Sequence, residues 1–429
     1  MSKKPVLPGK FFRVASVVSI VGLLVHGLTS SVLLRASDCS SAGRIADIVV
    51  LTVLLATATV SLGKFASLRR IGYVGVLVGL FSLWILGSGI VHRVALTQML
   101  AALTLDAGLF WVFLITRTFA GRTPKNSWVL KMCLVFGGLA VVSLGLYFVG
   151  LQDNLDRAVG FGQCGSQASL LTAGTEGLIR SRGFARNPNE LGALLIPALT
   201  IILYSLIVQK GKRSKWQIGL CIALGLLEFL TFSRSAWIGS AVALGLVIIP
   251  LWKQLSSKLR IAGLVTILLG SLLLISVPGF RNQFLLHKST DSNSTAAHFN
   301  AKTSGVRTIL EQPGGSGPGT AGAIGGIFKQ PNVIETESTF LNIGVQYGIV
   351  GLALFLCLIG VMGYLLYTSS HPLAYAVFCS FIGLIVMGLV IPVFSTYPLV
   401  ILFGFLVGFV APAKPPRVSS SRGPSTPNA

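Results

Sequence analysis

An arginine-rich segment directly before an apolar run has the residue types that bind an anion. The segment RSRGFARNPNE begins at Arg180 and also contains Arg182 and Arg186. Pro188 prevents a regular helix before it, and Asn189 is predicted to be the N-cap of the helix that follows. Arginine forks match phosphate oxygens, and a helix N-terminus favours negative charge. The alternative is that these arginines only anchor the chain at a membrane surface.

A second arginine lies between two apolar runs that have almost no loop between them. It is Arg234, and it is flanked by Ser233 and Ser235. A charged side chain at such a place is costly unless it is paired or lines a polar cavity. Glu228 lies about one and a half turns earlier in the chain and could be its partner. The alternative is that Arg234 extends to the lipid headgroups.

A long polar segment, 280–337, contains the third group of candidate residues. It includes His298, Arg307 and the glycine-rich run PGGSGPG, which starts at Pro313. The run is not a nucleotide-binding P-loop, because no Gly-Lys-Ser/Thr follows it. Its glycines are expected to permit tight turns and close backbone approach. His298 could act as a general base or contact a pyrophosphate, although a lone histidine in a loop is often inert.

Three carboxylates complete the set of candidates. Glu335 and Glu337 precede a long apolar run, where they could complement a helix dipole, and Glu337 could instead deprotonate a sugar hydroxyl. Asp106 lies in the middle of an apolar run. A carboxylate inside a membrane is a functional candidate, and it could equally form a structural pair with a polar group on a neighbouring helix.

The composition requires a membrane to surround the elements that carry these residues. Of the 429 residues, 53% are hydrophobic and only 11% are charged, whereas soluble domains have about 25% charged residues. The mean hydropathy is +0.80. The net charge of +22 at first suggests nucleic acid, but its distribution over short loops favours a lipid surface, so no nucleic-acid partner is expected.

Apolar runs long enough to cross a bilayer recur along the chain. The sequence therefore predicts an all-α polytopic membrane protein with about twelve spans and two larger loops, 151–189 and 280–337. The predicted spans are 11–34, 45–62, 71–91, 96–116, 128–150, 190–208, 216–232, 235–252, 259–279, 338–367, 372–392 and 394–412. They fall into an N-terminal set in 1–150, a middle set in 190–279 and a final set in 338–412. The tail 413–429 is rich in Pro and Ser and is predicted to be disordered.

The charges predict the orientation of the chain. Lysine and arginine alternate between the short loops in a way that places both termini in the cytoplasm. None of the twelve acidic residues falls in a predicted cytoplasmic loop. The opposite face mixes arginine, histidine and carboxylates, so the chemistry is expected on the outer face.

The six cysteines show no CxxC spacing, and there is no zinc or haem signature, so no metal or cofactor is expected. Cys39 and Cys164 lie outside the apolar runs and are both assigned to the oxidising side. A disulfide between them is predicted.

The chain resembles the O-antigen ligase/polymerase superfamily of bacterial membrane glycosyltransferases. The resemblance covers roughly 130–370 and consists of four motifs in order. They are RGFARNPN from Arg182, FSRSAW from Phe232, PGGSGPG from Pro313, and ESTFL from Glu337 with GIVG from Gly348.

The resemblance implies a C-type glycosyltransferase fold in the bacterial inner membrane. It implies that a glycan on undecaprenyl diphosphate is transferred at the periplasmic face without a metal. Arginines would hold the diphosphate, and the candidates are Arg180, Arg182, Arg186, Arg234 and Arg307. Many relatives have His-Asn where this chain has Glu337-Ser338, so the catalytic base is assigned to His298 or Glu337.

The acceptor distinguishes the functions that remain. A polymerase would extend another carrier-linked glycan into O-antigen, capsule or exopolysaccharide, and the two large loops favour it. A ligase would transfer the glycan to lipid A core or another acceptor. A polysaccharide transporter or flippase is the alternative from a different class, and the absence of obvious repeated halves weakens it. A chain-length regulator and a flippase of the same pathway are possible protein partners.

Overall fold

The computed structural model describes most of the predicted middle and C-terminal spans. The described residues are 68–119, 126–150, 180–208 without 184 and 186, 215–254, 257, 260–261, 292–328, 333–334 and 336–411. Spans 11–34 and 45–62, nearly all of 259–279, most of loop 151–189 and the tail 413–429 lie outside these residues. The predicted Cys39–Cys164 disulfide and the positions of both termini lie outside them too.

The described chain is helical. The helices are α1 Leu68–Val91, α2 Leu96–Asp106, α3 Gly108–Phe119, α4 Asn126–Phe148, α5 Pro188–Val208, α6 Lys215–Leu230, α7 Arg234–Leu251, α8 Ser292–Glu311, α9 Gly322–Ile327, α10 Thr339–Tyr367, α11 Ala374–Gly388 and α12 Tyr397–Val410. Among the described residues, β pairing is limited to one isolated parallel bridge, Ala321 with Ile334.

Each predicted span within the described part of the chain is occupied by a helix, or by two helices in the case of 96–116. Four helical segments are long and apolar enough to cross a membrane: Gly72–Val91, Pro188–Val208, Arg234–Gln254 and Thr339–Tyr367. The pair α2 and α3 is bent by 58° and would be a fifth span if it counts as one. The prediction of a helical fold is therefore confirmed for the described residues, which include four or five segments that could cross a membrane. The count of twelve spans stays a prediction.

Helix α5 lies at the centre of the described bundle. The apolar part of α5 is 83% buried, compared with 33% for α1 and α7, so α5 faces other helices and the outer spans face the surroundings. Helices α7 and α11 pack against α5 and against each other. At their crossing, a Cβ added at Gly383 would lie 2.5 Å from the carbonyl oxygen of Gly239. Small residues thus let these two backbones touch, as is common between membrane helices.

Helix α10 is broken in its N-terminal part, and the glycine-rich run packs on the break. Gly348 has φ 68° and ψ −168°, so the helical hydrogen bonds around it are interrupted. The freed carbonyls of Val345 and Gln346 accept hydrogen bonds from the backbone N–H groups of Ser316 (2.9 Å) and Gly317 (3.0 Å).

Two further bonds complete this arrangement. The Ile349 N–H donates to the carbonyl of Pro313 at 2.9 Å, and Trp84 Nε1 of α1 donates to the carbonyl of Tyr347 at 2.8 Å. Gly315, Gly317 and Gly319 all have positive φ. The expectation that these glycines permit tight turns and close backbone approach is confirmed, and the contact satisfies backbone groups that a membrane could not satisfy.

Candidate functional site

The arginine-rich segment ends in a helix cap, although not the predicted one. Helix α5 begins at Pro188, which is tolerated there because the first helical N–H needs no acceptor within the helix. Asn187 is the cap, since its Oδ1 accepts a hydrogen bond from the Glu190 N–H at 2.9 Å. The prediction that Asn189 caps α5 is wrong, because the Asn189 side chain is engaged by an arginine.

Arg180 joins the arginine-rich segment to the turn between α6 and α7. Its Nε donates to the carbonyl of Thr231 at 2.9 Å, and its Nη2 donates to Asn189 Oδ1 at 2.9 Å. The Ser181 N–H donates to the carbonyl of Leu230 at 2.9 Å. These bonds place the two arginine motifs beside each other, although about fifty residues separate them in the sequence.

The turn itself is built to start α7 at Arg234. Phe232 has φ 49°, a left-handed conformation that is uncommon for a bulky residue. Ser233 caps the helix and accepts a hydrogen bond from the Ala236 N–H at 3.3 Å. Arg234 is therefore the first residue of α7, and its side chain is exposed. It is held at a helix N-terminus, where the helix dipole favours an anion.

The arginines form a site of concentrated positive charge. Arg180 is 8% exposed and Arg182 is 7% exposed, and Arg182 Nη1 donates to the carbonyl of Ala185 at 3.2 Å. Burial, followed by the neighbouring charge of Arg234, lowers the pKa of Arg180 to about 10. The positive charges of Arg180 and Arg234 repel each other, and a bound anion would relieve this repulsion. Arg186 lies outside the described residues.

Glu228 stabilises the same turn through two hydrogen bonds between α6 and α7. Its Oε1 accepts a hydrogen bond from Ser240 at 2.8 Å, and its backbone carbonyl accepts one from Trp237 Nε1 at 2.9 Å. The carboxylate therefore links α6 to α7 through Ser240, and the predicted pairing with Arg234 is not the contact that the structure shows. Its Oε2 is buried and has no hydrogen-bond partner among the residues that the structure describes.

Glu337 lies at the start of α10 in a strained conformation. Its φ is 52°, and its side chain is half-buried. The next residue, Ser338, is the N-cap position, and its hydroxyl donates to the carbonyl of Gly388 at 3.2 Å. Strained non-glycine residues of this kind occur disproportionately at functional sites. Glu337 therefore stays a candidate base.

The remaining two candidates belong to α8, which packs against α10. Arg307 is exposed and forms an ion pair with Glu311 at 2.6 Å, one helical turn further along. The guanidinium of Arg307 is thus already paired with a carboxylate. Its predicted role as a diphosphate contact stays a prediction. His298 lies within α8 rather than in an irregular loop.

Asp106 forms a structural pair of the kind that the sequence left open. It is 4% exposed, and it accepts hydrogen bonds from the Tyr347 hydroxyl at 2.6 Å and the Ser395 hydroxyl at 3.2 Å. Tyr347 directly precedes the break at Gly348. The network joins the bend between α2 and α3 to the break in α10, and neither partner was identified from the sequence.

Among the described residues, no group of three or more His, Cys, Asp or Glu side chains could hold a metal ion. The described cysteines are free thiols: Cys133, Cys221, Cys357 and Cys379.

The apolar helices indicate an integral membrane protein. Residues 218–356 match the family model described as O-antigen ligase, and this match supports the resemblance to the O-antigen ligase/polymerase superfamily. The matched range includes the turn at Arg234, the glycine-rich run and the break in α10. No curated protein matches the chain.

Proposed function

We propose that this protein polymerises oligosaccharide repeat units carried on undecaprenyl diphosphate at the periplasmic face of the bacterial inner membrane. The observation that carries the proposal is the contact between the arginine-rich segment and the turn at Arg234. This contact concentrates buried and exposed guanidiniums where two helices begin. A diphosphate needs such an arrangement, since its two negative charges must be balanced in a site that is partly shielded from water.

The chemistry requires one bond to break and one to form. The bond between the anomeric carbon and the diphosphate oxygen breaks, and the leaving diphosphate takes the electron pair. The anomeric carbon then bonds to a hydroxyl oxygen of the acceptor sugar, whose proton passes to a base. Arginines that are fixed before the reaction stabilise the negative charge that develops on the leaving group.

Each candidate residue has a role in this proposal. Arg234 is exposed at the start of α7 and contacts the diphosphate, together with Arg182 and Arg186. Arg180 holds the two segments together and adds positive charge. The base is Glu337 or His298, and Arg307 contributes only if its ion pair with Glu311 opens. No cofactor or metal is needed for this scheme, because the arginines balance the leaving charge.

A ligase is the second candidate, and it is the activity that the description of the matching family model names. A ligase would use the same donor and the same arginines, but its acceptor would be lipid A core or another non-carrier molecule. A flippase is less well supported, because the family match concerns glycosyl transfer.

The test is transfer by the purified full-length protein with a synthetic undecaprenyl-diphosphate-linked repeat unit. Arg234→Ala should lower the rate by about 10²–10³-fold, the usual effect of removing one fixed contact to developing charge. Arg234→Lys should restore only part of the rate, because lysine cannot form the bidentate fork. Lys253→Ala, which removes an exposed charge at the other end of α7, is the matched control and should leave the rate unchanged.

Full activity of Arg234→Ala at a normal protein level would refute the proposed role. The product distinguishes the two acceptors. Loss of a polymerase leaves single repeat units attached to their acceptor in cells, whereas loss of a ligase leaves long carrier-linked chains.

A further inference from the structure

Helix α8 packs one side against α10. A Cβ added at Gly305 would lie 2.9 Å from the Thr336 side chain, and Leu341 is also beside Gly305. Ile309 packs into a small apolar cluster with Val345. Gly305 and Ile309 therefore lie on the side of α8 that contacts the rest of the protein.

A second apolar stripe on α8 is exposed. Phe299 is 67% exposed, Val306 is 47% exposed and Leu310 is 73% exposed. Their spacing of seven and four residues places all three on one side of the helix, about 16 Å in length. A stripe of this size on a helix surface indicates a surface that contacts something apolar.

The direction of α8 shows what lies next to this stripe. Gly305 is beside Leu341 and a Cβ added at Gly344 would contact Ile309, so the two helices run in the same direction along their shared length. Further along, the Ile349 N–H bonds to the carbonyl of Pro313. The C-terminal end of α8 is therefore level with the part of α10 that carries Ile349, which is 51% exposed.

That part of α10 belongs to a segment suited to cross a membrane, and Ile349 and Val350 are exposed there, where lipid would contact them. The apolar stripe of α8 is thus continuous with a lipid-facing surface. Arg307 and Glu311 lie on one flank of the stripe, about 80° and 120° around the helix from its middle, and Lys302 lies on the other flank, about 60° from its middle. These charged side chains could extend to the headgroups while the stripe between them contacts acyl chains.

We propose that α8 is seated in the leaflet that surrounds the start of α10, with Phe299, Val306 and Leu310 in contact with acyl chains. The headgroup region would then solvate Arg307 and Glu311. The leaflet holds α8 at a fixed depth, and the glycine-rich run that directly follows α8 is held at the break in α10. The proposal does not depend on glycosyl transfer or on which face of the membrane is outside.

The test is photocrosslinking of the full-length protein in nanodiscs of phosphatidylethanolamine and phosphatidylglycerol. The photoreactive residue p-benzoylphenylalanine replaces Leu310 in one variant and Phe299 in another. The matched control replaces Ser304, which is exposed on the same helix about a third of a turn away from the stripe. Lipid adducts are measured by mass spectrometry of the peptide that contains α8.

The proposal expects lipid adducts at 299 and 310 that exceed those at 304 by about tenfold or more. Equal adducts at all three positions, or adducts only to protein or water at 310, would overturn it. A second measurement uses Phe299→Ser combined with Leu310→Ser. Both side chains are exposed, so the fold should persist while protection of α8 from protease in the nanodiscs decreases. Unchanged protection would contradict the proposal.

Discussion

The break in α10 offers a substitution whose effect has a definite sign. Gly348→Ala adds one methyl group at a residue with φ 68° and ψ −168°, a conformation that is essentially restricted to glycine. The added Cβ would contact the Pro313 carbonyl oxygen and would lie 2.5 Å from the Gly314 carbonyl carbon and 2.6 Å from the Gly315 nitrogen. All of these are backbone atoms, so no flexible side chain can move aside.

Two effects determine how much Gly348→Ala lowers the free energy of unfolding. Forcing alanine into this conformation costs about 1–3 kcal/mol. Moving the glycine-rich run away weakens the hydrogen bonds to Val345, Gln346 and Ile349, each of which contributes about 0.5–1.5 kcal/mol. We therefore expect Gly348→Ala to lower the free energy of unfolding by about 2–5 kcal/mol.

Gly360 provides the matched control in the same helix. It has ordinary helical geometry, and a Cβ added there meets nothing within 4 Å. Gly360→Ala should raise the free energy of unfolding by about 0.5–1 kcal/mol, because alanine favours a helix more than glycine does. Thermal unfolding in detergent, followed by tryptophan fluorescence, compares the two variants. A midpoint for Gly348→Ala at or above that of the unchanged protein would refute the reasoning.

Two further predictions concern the positioning of the helices. Asp106→Ala and Tyr347→Phe should each destabilise the protein, because the two side chains share a hydrogen bond. In unfolding measurements, the double variant should show a coupling energy of about 0.5–3 kcal/mol between the two substitutions. Strictly additive effects would contradict a direct bond. Gly383→Val should reduce the folded yield and the unfolding midpoint, because its side chain would meet the backbone of Gly239, whereas Gly363→Ala, which has room beside Phe381, should change neither.

Hydropathy and charge predicted the helices because a span depends on local composition. The run 71–91, for example, corresponds to the apolar part of α1, and a membrane imposes a helix on any such run. The start of α5 was also readable in principle. Asn187 followed by Pro188 is the usual order of a cap and a first helical residue, because proline is favoured at the first helical position. With Pro188 in the helix, Asn189 is too late in the sequence to be its cap.

The contacts that build the site could not be read from the sequence, because each joins distant segments. Arg180 bonds to the carbonyl of Thr231, and a backbone carbonyl has no signature in the sequence. Gly348 looks like any other glycine in an apolar helix, and only the run that begins at Pro313 makes it a break. Tyr347 likewise became a partner of Asp106 through packing, not through spacing.

The break in α10, with the glycine-rich run packed on it, also has a consequence for the order in which the chain is synthesised and inserted. The run from Pro313 to Gly319 is synthesised before α10, and its N–H groups are the partners that the carbonyls of Val345 and Gln346 require. When α10 enters the membrane, those partners therefore already lie on the side where the helix begins. A break that would be costly in bare lipid can thus be satisfied as soon as the helix is inserted. Deleting this run should therefore impair membrane assembly of the chain, and not catalysis alone.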